Sequence, residues 1–224
     1  MKCVLKTDNV AIFDEVFEKD MFQYFIQYFN GLNFTFISNN QWMKIWRVND
    51  GQILAATEQH LSTKAPFNNP MDWVHHQVHN LAVMHLEDVV GKFGVDWNEI
   101  SYTPYIYAAG TKISWHDDTG YTAAAIFYCH PEWSPFWGGE LMIANTPSLE
   151  EIPTEGLNDD VVNRSFCKPL LNYYGTGMYV APVPNRIAFT KGSVWHAINR
   201  VDSAAGDNLR CSVVAFFRKN ENIT

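Results

Sequence analysis

Hydrophobic and polar residues recur with two different periods along this chain, and the first part has mixed character. Apolar residues of the segment 14–30 recur at helical spacing, and Gly31 follows as a stop. A second helix is predicted to begin near Asp72, a favourable N-cap after Pro70, and to run to about Gly91. Two short segments between these helices, NFTFIS and QWMKIWRV, alternate like strands, and the NDG that follows them indicates a turn.

From Ile100 onward the segments are short, rich in β-branched and aromatic residues, and separated by Gly, Pro and Asn. This pattern predicts a series of strands rather than helices. The candidate strands are SYTPYIYAA, TKISWH, TAAAIFYC, GELMIA, GMYVAPV, RIAFT and CSVVAFF. Their number is typical of a sandwich or jelly roll, with the N-terminal helices packed on one face.

Length and composition favour a single domain. The chain has 224 residues, of which 47% are hydrophobic, so it can bury a large core. We expect residues 1–99 to form a helical and strand-containing lead-in, and residues 100–224 to form the mainly β jelly-roll core. The net charge of −8 argues against nucleic-acid binding, although a local basic pocket could still hold one small anion.

Four cysteines are present, none in a C-x-x-C pair, which favours free, buried thiols in a reducing cytoplasm. The charged N-terminal segment lacks the apolar core of a signal peptide. No apolar run approaches the roughly 20 residues that cross a bilayer. The sequence therefore predicts a cytoplasmic protein with no membrane partner. It does not predict an oligomeric state.

The candidate chemistry lies in the stretches KISWHDDTG and SVWHAINR. His116 and Asp118 are two residues apart, so in a strand they project to the same face. His196 lies 78 residues beyond Asp118 (196 − 118) and must come from a distant strand. Two imidazoles and one carboxylate form the facial triad associated with non-haem Fe(II). Asp117 is a less favourable source of the carboxylate than Asp118, because strand alternation predicts that it points away from the metal. An H-x-D pair alone is weak, because a surface turn with a hydrogen-bonded histidine is the commoner explanation.

The order of motifs strengthens the hypothesis. GGELMIA begins twenty residues after Asp118 (138 − 118), the distal histidine follows in PVPNRIAFTKGSVWHAINRV, and Arg210 follows in RCSVVAFF. Over about Tyr102 to Phe217 this series resembles the prolyl 4-hydroxylase-like branch of the Fe(II)- and 2-oxoglutarate-dependent dioxygenases. The resemblance implies a double-stranded β-helix fold.

The resemblance also implies roles for individual residues. His116, Asp118 and His196 would be the catalytic iron ligands. Arg210 would pair with the distal carboxylate of 2-oxoglutarate through its guanidinium fork. The same co-substrate would be contacted by Tyr128, by Tyr107 and, as a further candidate, by Ser212, which is two residues after Arg210. For these three residues packing in the core remains the alternative.

One spacing departs from the family pattern. Arg210 lies fourteen residues after His196 (210 − 196), which is longer than usual in that family. The intervening NRVDSAAGDN is polar and contains Gly, so it is interpreted as a lengthened hairpin. Arg200, four residues after His196, competes for the same role but falls at the end of the strand.

The resemblance implies an oxidoreductase that hydroxylates an unactivated C–H bond, consumes O2 and 2-oxoglutarate, and releases succinate and CO2. Ascorbate is a further candidate cofactor. The first candidate substrate is a prolyl or other amino-acid side chain, in a peptide or free. A small-molecule oxygenase of a biosynthetic pathway, a cupin-type metal enzyme without 2-oxoglutarate, and a non-catalytic metal-binding jelly roll remain alternatives. The carboxylate at Asp118 favours hydroxylation over halogenation.

Three other features have less specific interpretations. His75 and His79 are spaced for a metal on a helix, but HQVH lacks the zincin glutamate, and exposed helix histidines explain them better. Trp133, Phe136 and Trp137 either line the substrate pocket or cap the core, and we favour the core. The irregular stretch 145–176 forms either a substrate lid or a solvated surface loop.

Overall fold

The computed structural model describes residues 1–37, 50–61, 69–118, 120–145 and 176–220. The described residues form three α-helices: α1 (Lys19–Asn30), α2 (Pro70–His85) and α3 (Glu87–Val90). They also form thirteen β-strands: β1 (Lys2–Lys6), β2 (Val10–Asp14), β3 (Thr35–Phe36), β4 (Leu54–Ala55), β5 (Gln59–His60), β6 (Glu99–Tyr107), β7 (Ile113–His116), β8 (Ala123–Tyr128), β9 (Leu141–Ala144), β10 (Gly177–Val180), β11 (Ile187–Lys191), β12 (His196–Ile198) and β13 (Arg210–Arg218).

Two antiparallel sheets face each other. The large sheet has the order β1-β2-β11-β8-β13-β6-β4-β3, and β5 also pairs with β6. The small sheet has the order β10-β9-β12-β7. This mainly β architecture is the predicted jelly roll, and the seven predicted strands beyond residue 100 are all present with boundaries shifted by a few residues.

The helices pack on the outer face of the large sheet, as predicted. Along β8 every residue is buried, because alternate side chains face the helices or the small sheet. Phe127 points to the helices, and the rings of Phe17, Phe22 and Phe25 meet it edge-on at centroid distances of 5.4, 6.1 and 5.3 Å. This aromatic cluster holds the helical layer against the sheet.

The first two helices differ in detail from the prediction. α1 begins at Lys19, so Phe17 is buried in the segment before the helix. The N-cap of α2 is Asn69 rather than Asp72: the Asn69 side chain accepts the N–H of Asp72, whose carboxylate accepts the N–H of Asn69. The expected single helix to Gly91 is interrupted at Leu86, after which α3 begins.

The lead-in contributes strands as well as helices. β2 inserts Val10–Asp14 beside β11, and β1 extends the sheet outward from β2. Of the two predicted early strands, NFTFIS forms only β3, whereas QWMKIWRV lies outside the described residues. The segment 146–175 also lies outside them, although the N–H of Asn145 donates to the carbonyl of Thr176 and so joins its two ends.

The three cysteines within the described part of the chain, Cys3, Cys129 and Cys211, are free thiols, as predicted. Cys129 and Cys211 are buried as expected, but Cys3 is exposed. Among the described helices, none combines the length and the apolar character that a membrane span needs.

Candidate metal centre and anion pocket

His116 and His196 face each other across the small sheet. They form a directly opposed pair in the antiparallel register of β7 and β12, with ring centroids 4.3 Å apart. Because opposed residues of an antiparallel pair project to the same face, both imidazoles point into the space between the sheets. The pairing explains how two histidines eighty residues apart in sequence (196 − 116) meet at one point.

Asp118 completes the cluster from the end of β7. Its N–H donates to the carbonyl of Gly192, which holds the chain beside the small sheet. One carboxylate oxygen lies 3.8 Å from Nε2 of His116, and the other lies 3.6 Å from Nε2 of His196. The three potential ligand atoms all lie within 4.8 Å of one another, a separation that a single metal ion can span.

Asp117 does not belong to this cluster. The strand geometry predicts that it points away from the metal, and Asp117 is not among the three residues whose potential ligand atoms meet. The chain turns immediately after β7, where Tyr121 N–H donates to the carbonyl of Asp118. Asp118 and not Asp117 joins the two histidines, and the orientation of the Asp117 side chain stays a prediction.

The imidazoles are oriented by their own strands. Nδ1 of His116 lies 2.8 Å from the carbonyl of Ser114, and Nδ1 of His196 lies 2.8 Å from the carbonyl of Val194. A carbonyl can only accept, so each Nδ1 carries the proton and each Nε2 keeps its lone pair. This is the tautomer that a metal-binding histidine needs, with the second nitrogen fixed by a backbone oxygen.

The ionisation of the cluster suits a divalent cation. Burial, reinforced by the neighbouring His196, lowers the pKa of His116 to about 3, so this imidazole is neutral at pH 7. Burial raises the pKa of Asp118, and the proximity of His196 only partly opposes this. A carboxylate that loses hydration in this way gains most from a metal ion beside it.

A pocket extends from this cluster between the two sheets. Its empty space is about 690 Å³, which includes the part that is open to solvent. Its walls combine aliphatic and aromatic side chains with the residues of the cluster. The lining residues are Tyr105, Tyr107, Ile113, His116, Asp117, Asp118, Tyr121, Ala124, Ile126, Leu141, His196, Ile198, Val214 and Phe216.

Arg210 lies on the same inner face as the pocket, at the start of β13. Its side chain is completely buried. Its Nε donates to the carbonyl of Gly139 at 2.7 Å, and its Nη1 approaches the hydroxyl of Ser212 at 3.4 Å. The guanidinium carbon lies 4.8 Å from the ring centroid of Tyr107 and 5.1 Å from that of Tyr128. The four residues that the resemblance assigned to the co-substrate are therefore neighbours.

The charge of Arg210 has no counter-ion among the described residues. Its Nη2 and the hydroxyl of Tyr128 are buried without a hydrogen-bond partner of ordinary geometry in that part of the chain. Burial raises the pKa of both Tyr107 and Tyr128, so their hydroxyls stay protonated and can donate. A buried cation with unused donors is costly unless an anion binds beside it. The donor set fits a carboxylate.

Tyr107 connects the two parts of the site. It lines the pocket and also contacts the guanidinium, whereas Arg210 and Tyr128 are not among the lining residues. An anion that enters the pocket would therefore reach Arg210 past the Tyr107 ring.

Arg200, the competing arginine, lies elsewhere. Its side chain is exposed and its Nη1 donates to the carbonyl of Gly110. The long connection between His196 and Arg210 contains a short 3-10 turn at Ser203–Ala205, capped by the Asp202 side chain. β12 and β13 do not pair with each other, because β12 belongs to the small sheet and β13 to the large one. NRVDSAAGDN therefore crosses between the sheets, and its interpretation as a lengthened hairpin is wrong.

The remaining predictions have mixed outcomes. His75 is buried rather than exposed, and its Nδ1 lies 2.8 Å from the hydroxyl of Tyr102. Trp133 and Trp137 pack partly buried against the inner core, as favoured, but Phe136 is 83% exposed. Phe136 lies at the tip of the β8–β9 connection, where the preceding Pro135 and the turn lead it away from the core.

Sequence reasoning missed three contributors to the site. Tyr121 and Phe216 form a stacked pair at the pocket mouth, with ring centroids 4.5 Å apart. Gly139 anchors Arg210 through its carbonyl, and a Cβ there would lie 2.9 Å from Arg210 Cδ. The glycine pair in GGEL was the available signal for Gly139, since a glycine with positive φ often marks a close approach.

Similar solved structures share this fold. A prolyl 4-hydroxylase from Pseudomonas putida is 14% identical, with a TM-score of 0.57, over 95% of this chain and 93% of that one. A prolyl hydroxylase from Trichoplax adhaerens, solved with a peptide fragment of hypoxia inducible factor, is 13% identical, with a TM-score of 0.58, over 95% and 84%. A 2OG-Fe(II) oxygenase family oxidoreductase from Burkholderia pseudomallei is 12% identical, with a TM-score of 0.56, over 98% and 94%.

No protein-family model matches the sequence, and the search of curated proteins finds no match. The similar solved structures show that the chain has the jelly-roll fold of the 2-oxoglutarate-dependent Fe(II) oxygenases, as its motif order suggested. At these identities the likeness establishes the fold alone, so the activity has to be argued from the site.

Proposed function

We propose that the protein is an Fe(II)- and 2-oxoglutarate-dependent dioxygenase that hydroxylates an unactivated C–H bond. The observation that carries the proposal is the combination of two features on facing sheets. One is the His116–Asp118–His196 cluster, and the other is the buried guanidinium of Arg210, which has no counter-ion among the described residues. A metal-binding jelly roll without an anionic co-substrate would have no use for the second feature.

The ligand set supports Fe(II) as the resident metal. Two imidazoles and one carboxylate would hold a metal ion from one side and leave its other positions open, which is the arrangement of non-haem Fe(II) oxygenases. When bound, iron with 2-oxoglutarate would supply the oxidising chemistry, with O2 consumed and succinate and CO2 released. His116 and His196 would ligate through Nε2, and Asp118 would ligate through its carboxylate.

The buried group of Arg210 and Tyr128, beyond Tyr107 of the pocket wall, would hold the distal carboxylate of 2-oxoglutarate. Arg210 offers Nη2 together with Nη1, and the protonated hydroxyl of Tyr128 adds a donor. Ser212 contributes by holding Nη1, and Tyr107 packs against the guanidinium. A carboxylate bound in this way neutralises a buried charge, which makes the interaction strong and selective for an anion.

The pocket walls would exclude water from the reacting bond. Aliphatic side chains, among them Ile126, Leu141 and Val214, line the interior between the metal cluster and Tyr107. The aromatic mouth formed by Tyr121 and Phe216 offers flat apolar faces to a substrate. Such faces pack well against a prolyl ring or another amino-acid side chain, so a peptide or free amino acid remains the first candidate substrate. One similar structure was solved with a peptide.

The deciding experiment is anaerobic. Fe(II) and 2-oxoglutarate are added, separately and together, to purified protein, and the visible absorption spectrum is recorded beside that of Arg210→Ala. We expect a weak charge-transfer band that requires both additions and is diminished in the variant. Iron binding without a band would favour a cupin-type enzyme that does not use 2-oxoglutarate. Absence of iron binding would favour a non-catalytic jelly roll.

A further inference from the structure

Asp50 lies beside β7, the strand that carries His116. Within the described part of the small sheet, β7 pairs with β12 on one side only. On its other side, the carbonyl of Asp50 accepts the N–H of Lys112 at 2.9 Å. The Asp50 carboxylate accepts the N–H of Ser114 at 3.3 Å and the Ser114 hydroxyl at 2.6 Å. Asp50 thus takes the place of a neighbouring strand.

Ser114 connects this carboxylate to the metal cluster. Its amide and its hydroxyl are both bound by Asp50, while its carbonyl accepts the Nδ1 proton of His116 at 2.8 Å. A residue held at these points cannot rotate its peptide group freely. The direction of the Ser114 carbonyl, and with it the plane of the His116 ring, therefore depends on Asp50.

The two metal-binding histidines differ in how their strands are supported. His196 lies on β12, which is paired with β9 on one side and β7 on the other. Among the described residues, β7, which carries His116, pairs with β12 alone. The hydrogen bonds from Lys112 and Ser114 to Asp50 therefore add a support on the other side of β7.

The burial of Asp50 indicates that this support is more than incidental. The residue is 0% exposed, and Lys112 Nζ lies 3.7 Å from its carboxylate. Burying a carboxylate is costly unless its oxygens are well bonded. The 2.6 Å bond from the Ser114 hydroxyl has the short length of a charge-assisted hydrogen bond, and such bonds are stronger and better aligned than neutral ones.

We propose that Asp50 is a positioning residue for the metal centre: through Ser114 it fixes the imidazole of His116 in the orientation that ligates the metal. This inference rests on the proposed metal site, but it concerns a residue 66 positions before His116 (116 − 50) that does not itself touch the metal cluster. Partners that orient metal-binding histidines contribute about 10–100-fold to metal affinity.

The test measures metal affinity rather than turnover. Co(II), which substitutes for Fe(II) in such sites and is stable in air, is titrated into metal-free protein, and the dissociation constant and the visible spectrum are recorded. We expect Asp50→Asn and Ser114→Ala each to weaken Co(II) binding about tenfold. Ser114→Thr retains the hydroxyl and should bind as the wild type does. In the double variant the two losses should not add, because both remove the same connection.

Asp72→Asn is the matched control. It makes the same carboxylate-to-amide change at the N-terminus of α2, on the far side of the large sheet, where Asp72 accepts the N–H of Asn69. It should lower the melting temperature without changing the Co(II) affinity. If Asp50→Asn does not fold, the comparison of Ser114→Ala with Ser114→Thr still decides the question.

Three outcomes would overturn the inference. Unchanged Co(II) affinity in both Asp50→Asn and Ser114→Ala would show that the connection does not position the ligand. An equal loss in Asp72→Asn would mean that reduced stability alone weakens the site. The variant His196→Ala serves as the negative control for Co(II) binding. If the wild type bound Co(II) no better than His196→Ala, there would be no metal site, and the proposed function would be overturned as well.

Discussion

His116 and His196 are opposed residues of one antiparallel strand pair, and each donates its Nδ1 proton to the carbonyl two positions earlier in its own strand. The two Nε2 atoms therefore converge because of the backbone register, and both rings are fixed before any metal binds. A register shift of one residue would turn either imidazole to the opposite face of the sheet. The geometry of the site is thus a property of the β7–β12 pairing.

The adjacent acids Asp117 and Asp118 provide an internal test of the ligand assignment. Asp118→Ala removes the only carboxylate in the described cluster, and we expect Fe(II) affinity to fall by more than the roughly 100-fold effect of an outer partner. Asp117→Ala removes a neighbouring charge but no residue of the cluster, so it should change the Fe(II) dissociation constant much less than Asp118→Ala does. Calorimetric titration measures both. Equal losses in the two variants would contradict the assignment.

The guanidinium fork of Arg210 should matter beyond its charge. Arg210→Lys keeps the positive charge but loses the planar pair of donors, so the KM for 2-oxoglutarate should rise about tenfold, the effect of one charge-assisted hydrogen bond. Arg210→Ala should raise it at least about 30-fold. The exposed Arg200 receives the same lysine substitution as the control and should not respond. Succinate release measures the KM, and a response of Arg200→Lys alone would reassign the anion site.

Gly139 should control the position of Arg210. A Cβ at Gly139 would lie 2.9 Å from Arg210 Cδ and 3.3 Å from the Trp133 ring, so Gly139→Ala must displace the guanidinium. We expect a raised KM for 2-oxoglutarate with unchanged metal affinity. Gly110→Ala is the matched control, because φ is similarly positive (+88° against +74°) but no atom lies within 4 Å of the new Cβ. Both variants should lose stability, by about 1 kcal/mol or more from the positive φ. A normal KM in Gly139→Ala would contradict this role.

The strands of the jelly roll were predictable where apolar and aromatic residues are dense, as in β8 and β13. β1 and β2 were missed for different reasons. All five residues of β1 are exposed at the sheet edge, so no alternation marks it. β2 is a run of four buried residues with no polar alternation, and so short a run does not distinguish a strand from a helix.

The metal cluster was predictable because strand geometry turns residues i and i+2 to one face, which unites His116 with Asp118. The residues that support the site, Asp50 and Gly139, were not predictable from the sequence. Asp50 reaches Ser114 across 64 positions, and Gly139 reaches Arg210 across 71. Such contacts are set by the packing of the two sheets, and neither Asp50 nor Gly139 carries a local pattern that reveals its partner.

The stability of the protein should depend on the protonation of His75. Burial, followed by the neighbouring His79, lowers the pKa of His75 to about 4, and its Nδ1 lies 2.8 Å from the Tyr102 hydroxyl. Because the unfolded chain has a pKa near 6.5, it binds more protons than the folded state between pH 6.5 and pH 4. The stabilisation is therefore complete above pH 6.5 and is lost as the pH falls towards 4.

Urea unfolding at pH 7.5 and pH 5 measures this dependence. Of the stability that the wild type loses between these values, we expect His75 to account for at most about 2 kcal/mol. His75→Gln is uncharged at both pH values and should lose correspondingly less. It should not become independent of pH, because burial also lowers the pKa of His130, to about 4. His85→Gln makes the same change at an exposed position of α2 and should retain the wild-type dependence. If His75→Gln lost as much stability as the wild type, the buried imidazole would not be the group that titrates.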